Sequence, residues 1–307
     1  MSFPPLDSEG QQLLALGRAL RAEGYAFVTP TPLTHARVLA RQQSAQDLRD
    51  VFGWNRPFER GAFGEPWERL LSAAGQLVTQ ADGRLRSGIR FSTVHGGLFI
   101  HSGFPTEAAD AVFLGPDTYR FVRVLESLPG RFERAIDVGA GSGAGLLSLH
   151  ARCGRIALAD LNPKALRFCA TNAALNGVEA ALHESDVLNG LEGTFDLIVS
   201  NPPYMMDEAH RTYRDGGSRG IELPARIVTE SVPRLNPGGT LLLYTGTPIV
   251  AGRDLFREAV AETLTVAGHD VAYQELDPDV FGEELESPAY ADVERIAVVA
   301  LVVTRRS

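Results

Sequence analysis

Asp137-Val138-Gly139-Ala140-Gly141-Ser142-Gly143-Ala144-Gly145 lies between an aliphatic run at 134–139 and a helical pattern, and its reading decides the fold. Glycines so placed let backbone approach a ligand closely at a strand's carboxyl end. The spacing is Gly-x-Gly-x-Gly rather than Gly-x-Gly-x-x-Gly, which weakens a dinucleotide reading. Outward from it, strand-like runs recur at 155–160, 181–186, 195–200, 240–246, 271–276 and 295–303, separated by helical patterns. Seven such runs predict an α/β fold around a buried, mostly parallel sheet. Asn162-Pro163 opens a helix that Asn176-Gly177 closes, and Pro237-Gly238-Gly239 predicts a turn before the fifth strand.

Acids end the next two strands. Asp160, 21 residues after Gly139, suits acceptance from both hydroxyls of a ribose, and Asp186 suits acceptance from an adenine amino group. Asp160 has a second reading, an N-terminal charge favouring the helix after Pro163. Asp186 has Glu184 and Ser185 beside it, which leaves its register open. The fourth strand, FDLIVS, runs directly into Asn201-Pro202-Pro203-Tyr204. Two prolines fix that backbone and remove two donors, so an Asn carbonyl and a Pro carbonyl can grip a planar –NH2 while the tyrosine ring stacks on its plane. Tyr204 as ordinary packing is the alternative.

The chain has 307 residues, 44% hydrophobic and 22% charged, which excludes a disordered protein and suits two domains. Its longest apolar run, Ile296 to Val303, is far shorter than the roughly 20 residues a membrane helix needs. The start MSFPPLDSEG lacks a basic and apolar leader pattern, and Cys153 and Cys169 fit no metal or disulfide spacing, so a cytoplasmic protein with free thiols is expected. The net charge of −9 is uneven: before Leu125 there are 13 basic and 12 acidic residues, and after it 16 and 26. Nucleic acid would therefore have to meet the near-neutral N-terminal part.

That part reads differently. Ser8 to Glu23 and Trp67 to Thr79 have helical spacing, and GIRFSTV and LFIHS flank His95-Gly96-Gly97 as a hairpin. Helices followed by a hairpin suit a small α+β, winged-helix-like module. A boundary is expected at 106/107, with 1–106 recognising substrate and 107–307 holding the cofactor. His95 and His101 have no acid at ligand spacing, so no metal is expected. Met205 to Gly220 reads as a substrate lid or as a solvated loop carrying His210, Arg211 and Arg214, and Cys169 reads as core.

The glycine turn, its acids and Asn201-Pro202-Pro203-Tyr204 together resemble the class I S-adenosylmethionine methyltransferases with an Asn-Pro-Pro-Tyr motif. Within them the chain looks like the release factor glutamine methyltransferases of the HemK/PrmC type. Gly115-Pro116-Asp117-Thr118-Tyr119 stands where that family has Pro-Arg-Pro-Asp/Glu-Thr-Glu, keeping Pro-Asp-Thr without the arginine and final glutamate. The resemblance covers about Phe113 to Gly246. It implies a seven-stranded Rossmann-like methyltransferase sheet and S-adenosylmethionine as cofactor, held by Thr118, Asp137, Gly139, Gly141, Gly143, Asp160, Asp186 and Asn201. It further implies in-line attack by a nitrogen on the sulfonium methyl, with Asn201, Pro202 and Tyr204 catalytic and Pro203 completing the substrate grip. The expected acceptor is macromolecular, a protein glutamine amide before an exocyclic amine of RNA or DNA. The remaining alternative is an inactive cofactor-binding partner module, against which the intact Asp137, Asp160 and Asn201 set argues.

Overall fold

The computed structural model describes residues 6–265 and 268–307. The chain opens with helices α1 (Ser8–Ala22), α2 (Pro32–Leu39), α3 (Leu48–Phe52) and α4 (Trp67–Ala73). Two antiparallel ribbons follow, β1 (Leu77–Thr79) with β2 (Leu85–Ser87) and β3 (Ile89–Val94) with β4 (Gly97–Ser102). The helix expected to reach Thr79 stops at Ala73, because Gly75 turns the chain at φ +65° and the next residues pair as a ribbon. His95 and Gly96, at φ +46° and +78°, form the hairpin turn that the sequence predicts.

Beyond α5 (Pro116–Ser127), strands and helices alternate: β5 (Phe132–Val138), α6 (Ala144–Ser148), β6 (Cys153–Asp160), α7 (Pro163–Asn176), β7 (Ala181–Glu184), β8 (Phe195–Ser200) and α8 (Glu222–Ser231). The chain closes with β9 (Leu235–Val250), β10 (Arg253–Asp254), α9 (Leu255–Leu264), β11 (His269–Asp277) and β12 (Arg295–Arg305). The sheet runs β7-β6-β5-β8-β9-β12-β11, with β10 paired to β9. Strands β5 to β9 pair in parallel and β12 is antiparallel to both its neighbours. Their aliphatic runs follow from burial on both faces: Ile136, Leu158, Leu197, Ile198, Leu242 and Leu243 have no exposed surface.

Two local expectations change. Pro237-Gly238-Gly239 falls within the bounds of β9 and not ahead of it, yet none of the three is paired: the register against β8 jumps from Phe195–Leu235 to Leu197–Thr240, and the ladder with β12 starts at Thr240. Gly238 takes φ +76° there, so the predicted turn survives as a bulge directly before the paired run from Thr240. Strand β7 ends at Glu184, which puts Asp186 two residues past it, after the Ser185 N–H has bonded the Asp160 carbonyl at 3.1 Å.

The N-terminal elements are fastened to α7. Leu13, Leu16 and Leu20 of α1, with Phe52, Phe91 and Ile100, share an apolar cluster with Ala165, Phe168 and Leu175. Beside it, β4 has no second strand neighbour among the described residues, and two asparagines one helical turn apart take that place. Asn172 accepts from Ile100 N at 2.8 Å and donates to Ile100 O at 3.1 Å, and Asn176 does the same with Leu98 at 3.0 and 2.9 Å. A carboxamide carries the donor and acceptor of a peptide unit, so a helix face satisfies a strand edge that would otherwise be buried unpaired.

Candidate functional site

Strand order reverses between β5 and β8, and the carboxyl ends of both face one cavity of about 690 Å³. Ser200 Oγ, donating to the Val138 carbonyl at 2.6 Å, ties the two strand ends together. The cavity is bordered by Thr118, Gly139, Gly141, Asp160, Asp186, Asn201, Pro202, Pro203 and Tyr204. These include most of the residues singled out in the sequence. Asp137 and Gly143 lie outside that lining, underneath the turn.

The turn explains their positions. Gly139, Gly141 and Gly143 take φ of +70°, +57° and +74°, a conformation that side chains other than glycine's rarely adopt. A Cβ on Gly139 or Gly141 would point into open space, whereas at Gly143 it would press on Leu147 and Cys169. The first two therefore form a bare-backbone floor for a ligand, and the third packs the turn onto the core. Asp137 is buried and accepts from Leu146 N at 3.2 Å, acting as an internal cap of α6. Gly145 leaves it room, since a Cβ there would stand 2.7 Å from its Oδ2.

Burial, with the nearby Asp160 adding to it, pushes the Asp137 carboxyl up to about 7. A carboxyl raised in this way holds its proton more tightly folded than unfolded, so stability falls as pH climbs from about 4 to 7. Thermal melts across that window should show the fall, and Asp137→Asn should flatten it. A slope unchanged in the variant would assign it to other groups.

Asp160 is also raised by burial, an effect opposed by backbone N–H bonds from Asn162 and Gly141, each 2.8 Å long. Its two oxygens steady the turn and the start of α7, and a carboxylate retains lone pairs for ligand hydroxyls. Asp186 borders the cavity but is already engaged by Arg226, which donates to Oδ1 at 2.9 Å and approaches Oδ2 at 2.8 Å. An adenine amino group there would share that carboxylate with a guanidinium. Thr118 caps its own helix, with Oγ1 accepting from Gly115 N at 3.4 Å.

Past β8, Tyr204 is fixed from two sides. Its hydroxyl donates to Asp117 Oδ2 at 2.6 Å, and its ring lies over Gly246, where a Cβ would come within 2.3 Å of the ring. Tyr244 donates to Asp117 Oδ1 at 2.9 Å, so one buried carboxylate gathers two tyrosines. Burial beside Asp117 raises the Tyr204 hydroxyl well above the usual phenol range. With 8% of its surface exposed, Tyr204 is chiefly packing that holds the motif, and its ring has little free face for stacking. Asn201 differs: among the described residues its carboxamide has no hydrogen-bond partner, although it is half-buried at the cavity wall.

The segment after the motif folds back on itself. Met205 N donates to Arg214 O at 3.0 Å and Gly216 N to Met205 O at 2.9 Å, while Asp207 holds Arg211. Tyr213 reaches the Thr106 carbonyl at 2.5 Å and stacks on Phe113, with ring centroids 6.0 Å apart. His210, Arg211 and Arg214 thereby border the cavity within an ordered flap. On the wall opposite, Thr29, His35, Arg90 and Phe104 of the N-terminal part line the same cavity, and no motif marks them in the sequence. Their only sequence signal is charged and aromatic residues in a region without strong periodicity. Among the described residues no group of three or more His, Cys, Asp or Glu is placed to hold a metal, and no helix is long and apolar enough to cross a membrane.

Comparison with known proteins bears on this geometry. The Methyltransferase small domain family matches residues 118–270. A release factor glutamine methyltransferase of Bradyrhizobium diazoefficiens is 33% identical over 242 residues, covering 67% of this chain and 79% of that protein. A ribosomal RNA small subunit methyltransferase C of Shewanella loihica is 33% identical over 158 residues, covering 49% and 42%. The chain spans 44% and 54% of the length of two further curated relatives, release factor glutamine methyltransferases of Deinococcus radiodurans and Koribacter versatilis. The solved structure of Trm5b from Pyrococcus abyssi shares the fold, with a TM-score of 0.52 at 16% identity over 75% of this chain and 62% of that one.

Proposed function

The chain belongs to the class I S-adenosylmethionine-dependent methyltransferases, and from that premise we propose that it methylates a planar amide or amino nitrogen, foremost a protein glutamine side chain. The observation that carries this reading is the free Asn201 carboxamide at the end of β8, on a loop whose two prolines and anchored tyrosine leave it little freedom. The cofactor supplies a methyl already bound to a good leaving group, so positioning the nucleophile is the protein's main task. Asn201 Oδ1 and the Pro202 carbonyl each accept one N–H of the target. That orients the nitrogen lone pair toward the methyl and favours loss of its conjugation.

In this reading Gly139, Gly141 and Thr118 line the cofactor, Asp160 takes its ribose, and Asp186 takes the adenine amino group in competition with Arg226. Asp137 and Gly143 serve it indirectly, by shaping the turn. Asp160→Ala should weaken S-adenosylmethionine binding by about 2 kcal/mol, the scale of a hydrogen bond to a charged group, and titration calorimetry on the full chain checks it. The two parts divide the work, 107–307 holding the cofactor and 1–106 choosing the acceptor. The N-terminal residues along the cavity support that division. The apolar cluster shared with α7 adds that 107–307 alone would leave Phe168 and Leu175 uncovered.

An exocyclic base amine of RNA is the second reading, favoured by the similarity to the Shewanella loihica protein. Residues 1–106 hold 11 arginines against nine acids, a weak field for a phosphate backbone. Incubating the protein with methyl-labelled cofactor and a cell extract separates the readings. Label lost to protease supports the glutamine reading, label lost to nuclease supports the base, and no transfer supports a binding module.

A further inference from the structure

Arg90 comes to the cavity from β3 and is 2% exposed. Its Nε donates to the Ser102 carbonyl at 3.0 Å, and among the described residues no carboxylate lies within ion-pair distance of its guanidinium. The titratable groups that act on it are the phenols Tyr25 and Tyr119, which burial keeps protonated and neutral, and burial lowers the pKa of Arg90 to about 10. His35 adjoins it, 1% exposed, with Nε2 at 2.8 Å from the Trp54 carbonyl. A carbonyl only accepts, so Nε2 carries the proton and Nδ1 is a bare acceptor, and that atom has no partner among the described residues. Burial and Arg90 hold His35 neutral, with a pKa of about 4. Phe104 completes the group, tilted on the His35 ring at 4.1 Å with the guanidinium 5.8 Å from its centroid.

A cation stripped of water and given no acid is costly unless an acceptor reaches it from the cavity. An unpartnered nitrogen beside it needs a donor for the same reason. We propose that this end of the cavity is an oxyanion subsite, in which Arg90 donates guanidinium N–H bonds to a carboxylate or phosphate of a bound ligand. His35 Nδ1 accepts from a hydroxyl or ammonium next to that oxyanion. Two sources carry this chemistry, the α-carboxylate of the cofactor, whose neighbouring ammonium suits His35, and an anionic group of the methyl acceptor. The subsite adjoins the motif through α5: Tyr119 Oη accepts from Thr29 N at 3.0 Å, two residues after the Asp117 that holds Tyr204. The inference rests on the cavity being the methyl-transfer site, but not on which nitrogen is methylated.

The test uses the full chain, with inorganic phosphate, S-adenosylhomocysteine and methylthioadenosine, which lacks the amino-acid end, as probes. Phosphate should bind the wild-type protein at millimolar concentration and raise its melting temperature. Arg90→Gln should abolish that response and Arg90→Lys should retain part of it. If the cofactor's carboxylate is the occupant, phosphate competes with S-adenosylhomocysteine, and Arg90→Gln weakens that ligand about tenfold or more while methylthioadenosine is unaffected. If the acceptor supplies the anion, phosphate binds together with S-adenosylhomocysteine, and Arg90→Gln raises only the acceptor KM, again about tenfold. Should Arg90→Gln fail to fold, the wild-type titrations still decide. Absence of phosphate binding to the wild-type protein, with and without S-adenosylhomocysteine, overturns the subsite. Since no titration needs a methyl acceptor, failure here is separate from failure of the glutamine reading.

Discussion

Asn201→Ala should cut turnover by about a hundredfold or more, the scale for removing one positioned polar group, while S-adenosylmethionine affinity changes little. The reason is the contrast between Asn201 and its neighbours. Asp137, Asp160 and Asp117 already accept from protein groups, whereas the Asn201 carboxamide has no partner among the described residues and borders the cavity where two strand ends diverge. A group left free in a preorganised loop interacts mostly with what arrives. If its bond to the nitrogen strengthens as conjugation is lost, its removal lowers kcat without comparable loss of ground-state binding. Asn201→Asp should also be slow, because a carboxylate would attract the sulfonium in the ground state and alter the grip. Single-turnover rates beside calorimetric cofactor affinity check both variants. Normal turnover in both, or loss confined to cofactor binding, would make the motif a structural loop.

The sheet was legible because parallel strands buried on both faces read as uninterrupted aliphatic runs, and 195–200 and 295–303 needed no context. That Asp160 and Asn201 border the cavity was legible for a related reason: a residue that ends such a run or directly follows it sits at a strand's carboxyl end, where open α/β sheets bind ligands. What failed to show depends on distance. Asp117 stood out only as part of Pro-Asp-Thr, since the tyrosines it gathers are 87 and 127 residues away. Asn172 and Asn176 read as ordinary helix residues, because the strand edge they satisfy lies more than 70 residues earlier. Pro237-Gly238-Gly239 kept its turn chemistry as an unpaired bulge, and what stayed hidden was that β9 already starts ahead of it, where Leu235 pairs with Phe195. Arg90 and His35 matter only because α2 and the β3–β4 ribbon lean on the same cavity as the glycine turn.

Asp117→Ala should have the largest effect on stability of any change near the site. The carboxylate is 6% exposed and accepts from Tyr204 at 2.6 Å, Tyr244 at 2.9 Å and Arg120 at 3.2 Å. Its loss strands two buried phenols, each costing about 1–3 kcal/mol when unsatisfied. Arg120 suffers less, being partly exposed and retaining Asp277 at 3.1 Å. The sum is about 3 kcal/mol or more, which for a chain of this size lowers Tm by roughly 5 °C or more. Asp117→Asn should cost less, because one amide oxygen still accepts and the phenol oxygens can accept from the new N–H groups. Activity separates anchoring from simple support. With Tyr204 released, the loop carrying Asn201 loses its tether, so Asp117→Asn should lose turnover out of proportion to its stability, measured well below its Tm. Tyr204→Phe should reproduce that loss with Asp117 still bonded to Tyr244 and Arg120. If both variants kept full turnover, Asp117 would support the fold alone, and the prolines would suffice to hold Asn201 in place.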